Sequence, residues 1–155
     1  MGVEVRHATQ DDVGAIVARG IRRVDQIEAD ALGRGNDIEG ALLAGFGEAD
    51  CYVMCDKAGP FVIGGITRKP ESNTGIPWFV CTNDLEQHRF SFSRLVRQLM
   101  AEADTIYEEM EQWMWIENTK ARAFAESLGF QFDDRTVNMN GIDFVRFHRT
   151  RPGRA

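Results

Sequence analysis

The sequence predicts an α+β domain of three layers (α/β in its layering), with a mixed central sheet, helices on both faces and a parallel strand pair in the middle. Three observations carry that expectation. Strand and helix periodicities follow one another in blocks: a strand and two helices, three strands, then helix, strand, helix and hairpin. The joins among "CYVMCD", "FVIGGITR" and "IPWFVCTN" are the turn-rich "KAGP" and "ESNTG", which suit antiparallel hairpins. After the third of these strands a long helical pattern runs into "WMWI", and a strand–helix–strand unit with short joins closes with its strands parallel.

Each element has a local cause. "VEVRHAT", Val3 to Thr9, alternates as a first or edge strand does. Thr9 and Asp12 have the spacing of a capping box. Val13, Ile16, Val17, Ile21, Val24 and Ile27 then recur at helical spacing, predicting one helix to about Leu32, where "GRGN" breaks it. A shorter helix is expected through "DIEGALLAGFG". From Phe92, the residues Leu95, Val96, Leu99, Met100, Ala103, Ile106, Tyr107 and Met110 form one stripe of a long helix, with "EADTIYEEMEQ" as its solvated acidic end. The unbroken apolar run Trp113 to Ile116 fits a strand covered on both faces. Asn118 can cap a last helix whose inner face is Ala121, Phe124, Ala125 and Leu128, stopped by Gly129. Asn140-Gly141 then joins the strands of a terminal hairpin.

The totals bound the class. A chain of 155 residues, 43% hydrophobic and 27% charged, reads as one globular domain over 1–150 with a basic tail at 151–155. A net charge of -6 argues against nucleic acid as the main partner. The basic end, with Arg146, His148, Arg149, Arg151 and Arg154, is the single feature pointing the other way. Cys51, Cys55 and Cys81 have no framework spacing and read as reduced thiols in a cytosolic setting, and no metal site with His88 is expected. No apolar run reaches the length of a membrane span, and the start does not read as a signal peptide.

"ENTKARAFAESLGF", Glu117 to Phe130, with the order of elements around it, resembles the GNAT N-acetyltransferase family over nearly the whole chain. That resemblance implies acetyl-CoA entering between two splayed parallel strands, with its diphosphate on the turn before the central helix. The family's turn reads Arg or Gln, two residues, Gly, one residue, then Gly or Ala. Here it falls on "QHRFSF", where Gln87 keeps the first position and Phe90 and Phe92 replace the small residues. If those positions were left-handed, each replacement would add roughly 1–2 kcal/mol of strain. The cofactor contacts carried over are Thr82, Gln87, His88, Arg89 and Asn118. The family's acid, a Tyr four residues before the helix-ending Gly, is Ala125 here, and "WFVCT" lacks the family's strand Glu, although Glu117 ends the neighbouring strand. Cys81 reads as core rather than nucleophile. No catalytic residue is therefore assigned.

A narrower resemblance lies in "PWFVCTND" and "QWMWIENTKARAFAESLGFQF", which are similar to a family of short-tailed bacteriophage proteins described as internal virion proteins or phage acetyltransferases. It implies a noncatalytic virion component or assembly factor without cofactor. Its partners would be capsid, portal or ejection proteins, in the virion and in the host cytoplasm during assembly. The alternative is an acyl-CoA-dependent N-acetyltransferase modifying a protein or small amine. Pairing of two chains into a homo-oligomer through edge strands is compatible with either. Inward-facing Phe90 and Phe92 would be packing; both exposed with Trp78 would be a docking patch.

Overall fold

The computed structural model describes residues 2–46 and 50–153. Among these residues seven strands form one sheet: β1 (Glu4–His7), β2 (Cys51–Asp56), β3 (Gly59–Arg68), β4 (Thr74–Cys81), β5 (Glu109–Trp115), β6 (Gln131–Met139) and β7 (Ile142–Thr150). The sheet order is β1-β2-β3-β4-β5-β7-β6, with β4 and β5 parallel and the other pairs antiparallel. The helices are α1 (Gln10–Arg19), α2 (Arg23–Ala31), α3 (Ile38–Gly45), α4 (Arg89–Ala103) and α5 (Thr119–Ser127).

Helices cover both faces, because side chains alternate across each strand. Val53 and Ile63 pack with Val13, Ile16 and Leu42 of α1 and α3, joined by Trp78 and Val80. Their neighbours Met54 and Val62 pack on the opposite side with Phe92 of α4, and Phe79 and Phe124 border that cluster. Met110 and Met114 continue this second face with Met100, Ala103 and Ala125. The three-layer arrangement with a central parallel pair is as the sequence predicts.

Two helix boundaries differ. The single helix expected to Leu32 is two, because Gly20 adopts φ 113, which side-chain-bearing residues avoid, and its N–H closes on the Ile16 carbonyl. The long helix ends at Ala103, not beyond Met110. Tyr107 N–H turns back to the Ala103 carbonyl, and Glu108 N–H already bonds Asn73 across the sheet. Met110 is thus a core residue of β5, which begins four residues earlier than the apolar run at Trp113 suggested. Arg149 of β7 fixes that turn through two bonds to Asp104, at 2.9 and 2.8 Å.

The smaller expectations mostly hold. Thr9 N–H donates to the Asp12 carboxylate at 2.7 Å, as a capping box requires. Asn140 and Gly141 both have positive φ, 52 and 90, the pair a two-residue type I′ hairpin demands. The α3 segment is helical; Gly47, the end of its predicted run, lies outside the described residues. Cys51, Cys55 and Cys81 are buried. Most of the basic end belongs to β7 and meets the protein's own acids. Arg146 lies 3.5 Å from both Glu111 and Asp133, and His148 lies 3.2 Å from Asp133. Arg154 lies outside the described residues. Among the described residues no helix is long and apolar enough to cross a membrane.

Candidate active site between β4 and β5

The parallel strands pair at two register positions, Thr74 with Glu109 and Gly75 with Met110, and then part. Backbone direction along each strand is fixed by its other neighbour. Thr82 N–H bonds the Phe61 carbonyl on the β3 side, so the polar groups of Pro77, Phe79 and Cys81 face the gap. Ile116 N–H bonds Asp143 on the β7 side, so Trp113 and Trp115 turn theirs toward the same gap. A parted pair leaves exactly such groups in need of partners, and here side chains reach in to meet them.

Gln112 spans the gap: its amide donates to the Pro77 carbonyl at 2.7 Å, and its oxygen accepts from Trp113 N–H at 2.8 Å. Farther along, α2 lies across the two strand ends. Asp25 accepts from Cys81 N–H at 2.9 Å, and Arg22 N–H donates to the Cys81 carbonyl at 2.9 Å. Glu28 accepts from Trp115 N–H at 2.9 Å. The i, i+3 spacing of Asp25 and Glu28 puts both carboxylates on one helix face, one for each strand. The Arg22 guanidinium rests 5.6 Å over the Phe79 ring. Its Nε is 2.9 Å from Asp25, an ion pair by distance without hydrogen-bond alignment.

Burial pushes the Glu28 carboxyl above the usual carboxylate range, and the nearby Asp25 charge adds to this. The Trp115 N–H, Arg22 and the Asn118 side chain oppose the rise. Burial, reinforced by Asp25, pushes the Cys81 thiol far up, so it is a neutral thiol and no nucleophile.

The turn before α4 distributes the five carried-over contacts unevenly. Thr82 is buried and caps the 3₁₀ turn Asn83–His88, accepting from Asp84 N–H. His88 points inward, 3.1 Å from Asp56 and stacked against Phe61, while Arg19 holds Asp56 at 2.9 and 2.8 Å and Asp84 at 3.0 Å. Gln87 and Arg89 are exposed. Asn118 takes the N-cap position of α5 without a side-chain bond to the helix, and it lies close enough to Glu28 to favour its carboxylate. Phe92, 7% exposed, packs against Phe79 and Phe124, whereas Phe90 is 76% exposed, its ring 5.1 Å from the Arg89 guanidinium. Both lie in helical backbone, so the left-handed strain considered for these positions does not arise. Neither ring arrangement foreseen from the sequence applies as a whole: one ring is core, the other is solvent-facing, and Trp78 is half-buried against α3.

No family model matches the chain, and no curated protein matches it. Solved structures do. Spermidine N-acetyltransferase from Vibrio cholerae in complex with CoA and spermine superposes with a TM-score of 0.69 at 12% identity, over 96% of this chain and 95% of that one. An acetyltransferase of the GNAT family from Streptococcus pneumoniae gives 0.64 at 15% identity, over 96% and 98%. A Bacillus subtilis acetyltransferase in complex with CoA gives 0.60 at 13% identity, over 96% and 97%. The fold is the GNAT fold. The likeness runs end to end with acetyltransferases, two of them solved with CoA, and this overturns the reading as a noncatalytic virion component. The narrower resemblance to phage proteins finds no support in these GNAT neighbours.

Four residues of the gap escaped the sequence reading: Arg22, Asp25, Glu28 and Gln112. The helix holding three of them was read for its apolar stripe alone. Two acids at i, i+3 beside that stripe were the available signal, but their partners lie 56 and 87 residues away. Glu117, flagged at the end of β5, is exposed in the turn that follows.

Proposed function

We propose that the chain is an acyl-CoA-dependent N-acetyltransferase acting on an amine, a reading carried by the parting of β4 and β5 beyond Gly75 and Met110. Acetyl-CoA supplies the acetyl group as an activated thioester. Three features of this chain suit it. Phe79 turns its backbone N–H and C=O into the gap, and a strand edge of this kind accepts an extended amide-bearing chain as it would another strand. Gln112 already holds an amide there, with a donor bond to one strand and an acceptor bond to the other. The first turn of α4 has neither a capping side chain nor an acid, and Arg89 and Gln87 are exposed there, so a diphosphate would meet a cation and a donor at the positive end of a helix.

The carried-over contacts then divide by role. Gln87 and Arg89 face the diphosphate, and Asn118 stands at the far lip of the gap. Thr82 and His88 hold the turn in shape through Asp84 and Asp56. Phe79 N–H is positioned as the donor for charge developing on a thioester oxygen, where a fixed dipole away from water is most effective.

Thermal unfolding with acetyl-CoA tests this. At a hundred times its dissociation constant a ligand stabilises by about 2.7 kcal/mol, and a clear rise is expected with acetyl-CoA or CoA. Absence of any shift up to millimolar ligand overturns the reading.

A further inference from the structure

We infer that Glu28, which reaches the parted ends of β4 and β5 from α2, is the base that takes the proton from the acceptor amine. The inference rests on the acetyl transfer proposed above. β4, Thr74 to Cys81, carries no carboxylate of its own, so a base must come from another element. α2 brings two. Asp25 is committed: it holds Cys81 N–H, faces the Cys81 thiol at 3.5 Å and is paired with Arg22. Glu28, by contrast, forms no ion pair with a cation among the described residues. Its hydrogen bond comes from the Trp115 N–H, and the Asn118 side chain lies nearby; both are neutral. Two carboxylates in such unequal surroundings divide the work of counter-charge and base.

The charge at the strand ends points to the acceptor. Asp25, Glu28 and Arg22 together leave the gap net negative, which favours an alkylammonium over a neutral or anionic acceptor. The ammonium gives one proton to Glu28. The freed nitrogen lone pair forms the C–N bond to the thioester carbon as the C–S bond breaks, and the second nitrogen proton passes to the departing sulfur. One proton is released to solvent when Glu28 is reset, and the sum balances.

The charged and titratable groups around Glu28 are Arg22 and Asp25 on its own helix side and Cys81 at the end of β4; Asn118 faces it from the start of α5. Glu28→Gln keeps the oxygen that accepts from Trp115, so the fold should persist. Thermal unfolding of the ligand-free proteins between pH 4 and 9 gives a readout independent of turnover. Protonation favours the folded wild type at low pH, and that advantage is lost as pH rises through the raised carboxyl. The variant should therefore gain on the wild type with increasing pH. Acetyl-CoA should shift both proteins equally. With 1,5-diaminopentane as acceptor probe, Glu28→Gln should lose about 100-fold or more in kcat, together with the acid limb of the wild-type rate profile. A stability difference that does not change with pH, or an unchanged rate profile, overturns the assignment while leaving acetyl-CoA binding in place. A protein that acetyl-CoA does not stabilise fails at the earlier proposal.

Discussion

The side-chain amide of Gln112 donates to the carbonyl of Pro77 at 2.7 Å, across a gap where their strands no longer pair. That one residue closes the place an extended ligand arm would use. Gln112→Ala should therefore cost the ligand-free protein about 1 kcal/mol, the net worth of a typical hydrogen bond, and should tighten acetyl-CoA binding about fivefold. Calorimetric titration of both proteins measures this. Weaker binding would make Gln112 a ligand contact rather than a placeholder.

The two phenylalanines of the α4 turn should separate cleanly in stability. Phe92→Ala opens a hole between Phe79 and Phe124 and should cost about 3–5 kcal/mol. Phe90→Ala should stay within about 0.5 kcal/mol of the parent, because its ring lies mostly in solvent. Urea denaturation decides both. A large loss at Phe90 would mean that the ring has a partner not visible in this arrangement.

Acid should weaken the first helix. Hydrogen bonds from Arg6, at 2.7 and 2.8 Å, hold the Asp12 carboxyl down at about 2, against an ordinary 3.8. A carboxyl lowered by folding stabilises above its unfolded value, and that contribution disappears as pH falls from about 4 through 2. Asp12→Asn should be less stable at pH 7 by roughly 1–2 kcal/mol, since it loses the charge that Arg6 holds while its amide oxygen can still accept from Thr9. The gap to wild type should narrow through the same acid range in a thermal-melt series.

Gly64 sits in β3 opposite Phe79, directly behind the gap. A Cβ there would meet the Trp78 carbonyl oxygen at 2.5 Å and the Phe79 Cβ at 2.8 Å. Gly64→Ala should cost about 1–3 kcal/mol by overpacking, and it should disturb the strand that presents Phe79. Equal stability in denaturant would show that β4 can shift freely.

The architecture was legible because periodicity and turn chemistry are local. The Asn140-Gly141 turn and the Thr9–Asp12 cap each announce themselves within a few residues, and the "IPWFVC" to "WMWI" crossover is a run of consecutive local patterns. Boundaries were harder where two periods overlap: Met110 fits a helical stripe and a strand equally well, and only the turn pinned by Arg149 decides. The candidate site was least legible. The family turn drew attention to Thr82 and His88, which the structure uses for scaffolding. The groups lining the gap, Asp25, Glu28 and Gln112, gain their meaning from strand edges far away in sequence.

The two-rung seam at Thr74 and Gly75 makes the sheet mechanically two plates, β1 to β4 and β5-β7-β6, joined like a book at its spine. Few amide hydrogens are locked across the spine, whereas the strands within each plate pair at many more positions. Deuterium should enter the spine while both plates remain protected, and a molecule wedged between the covers can be admitted without dismantling either.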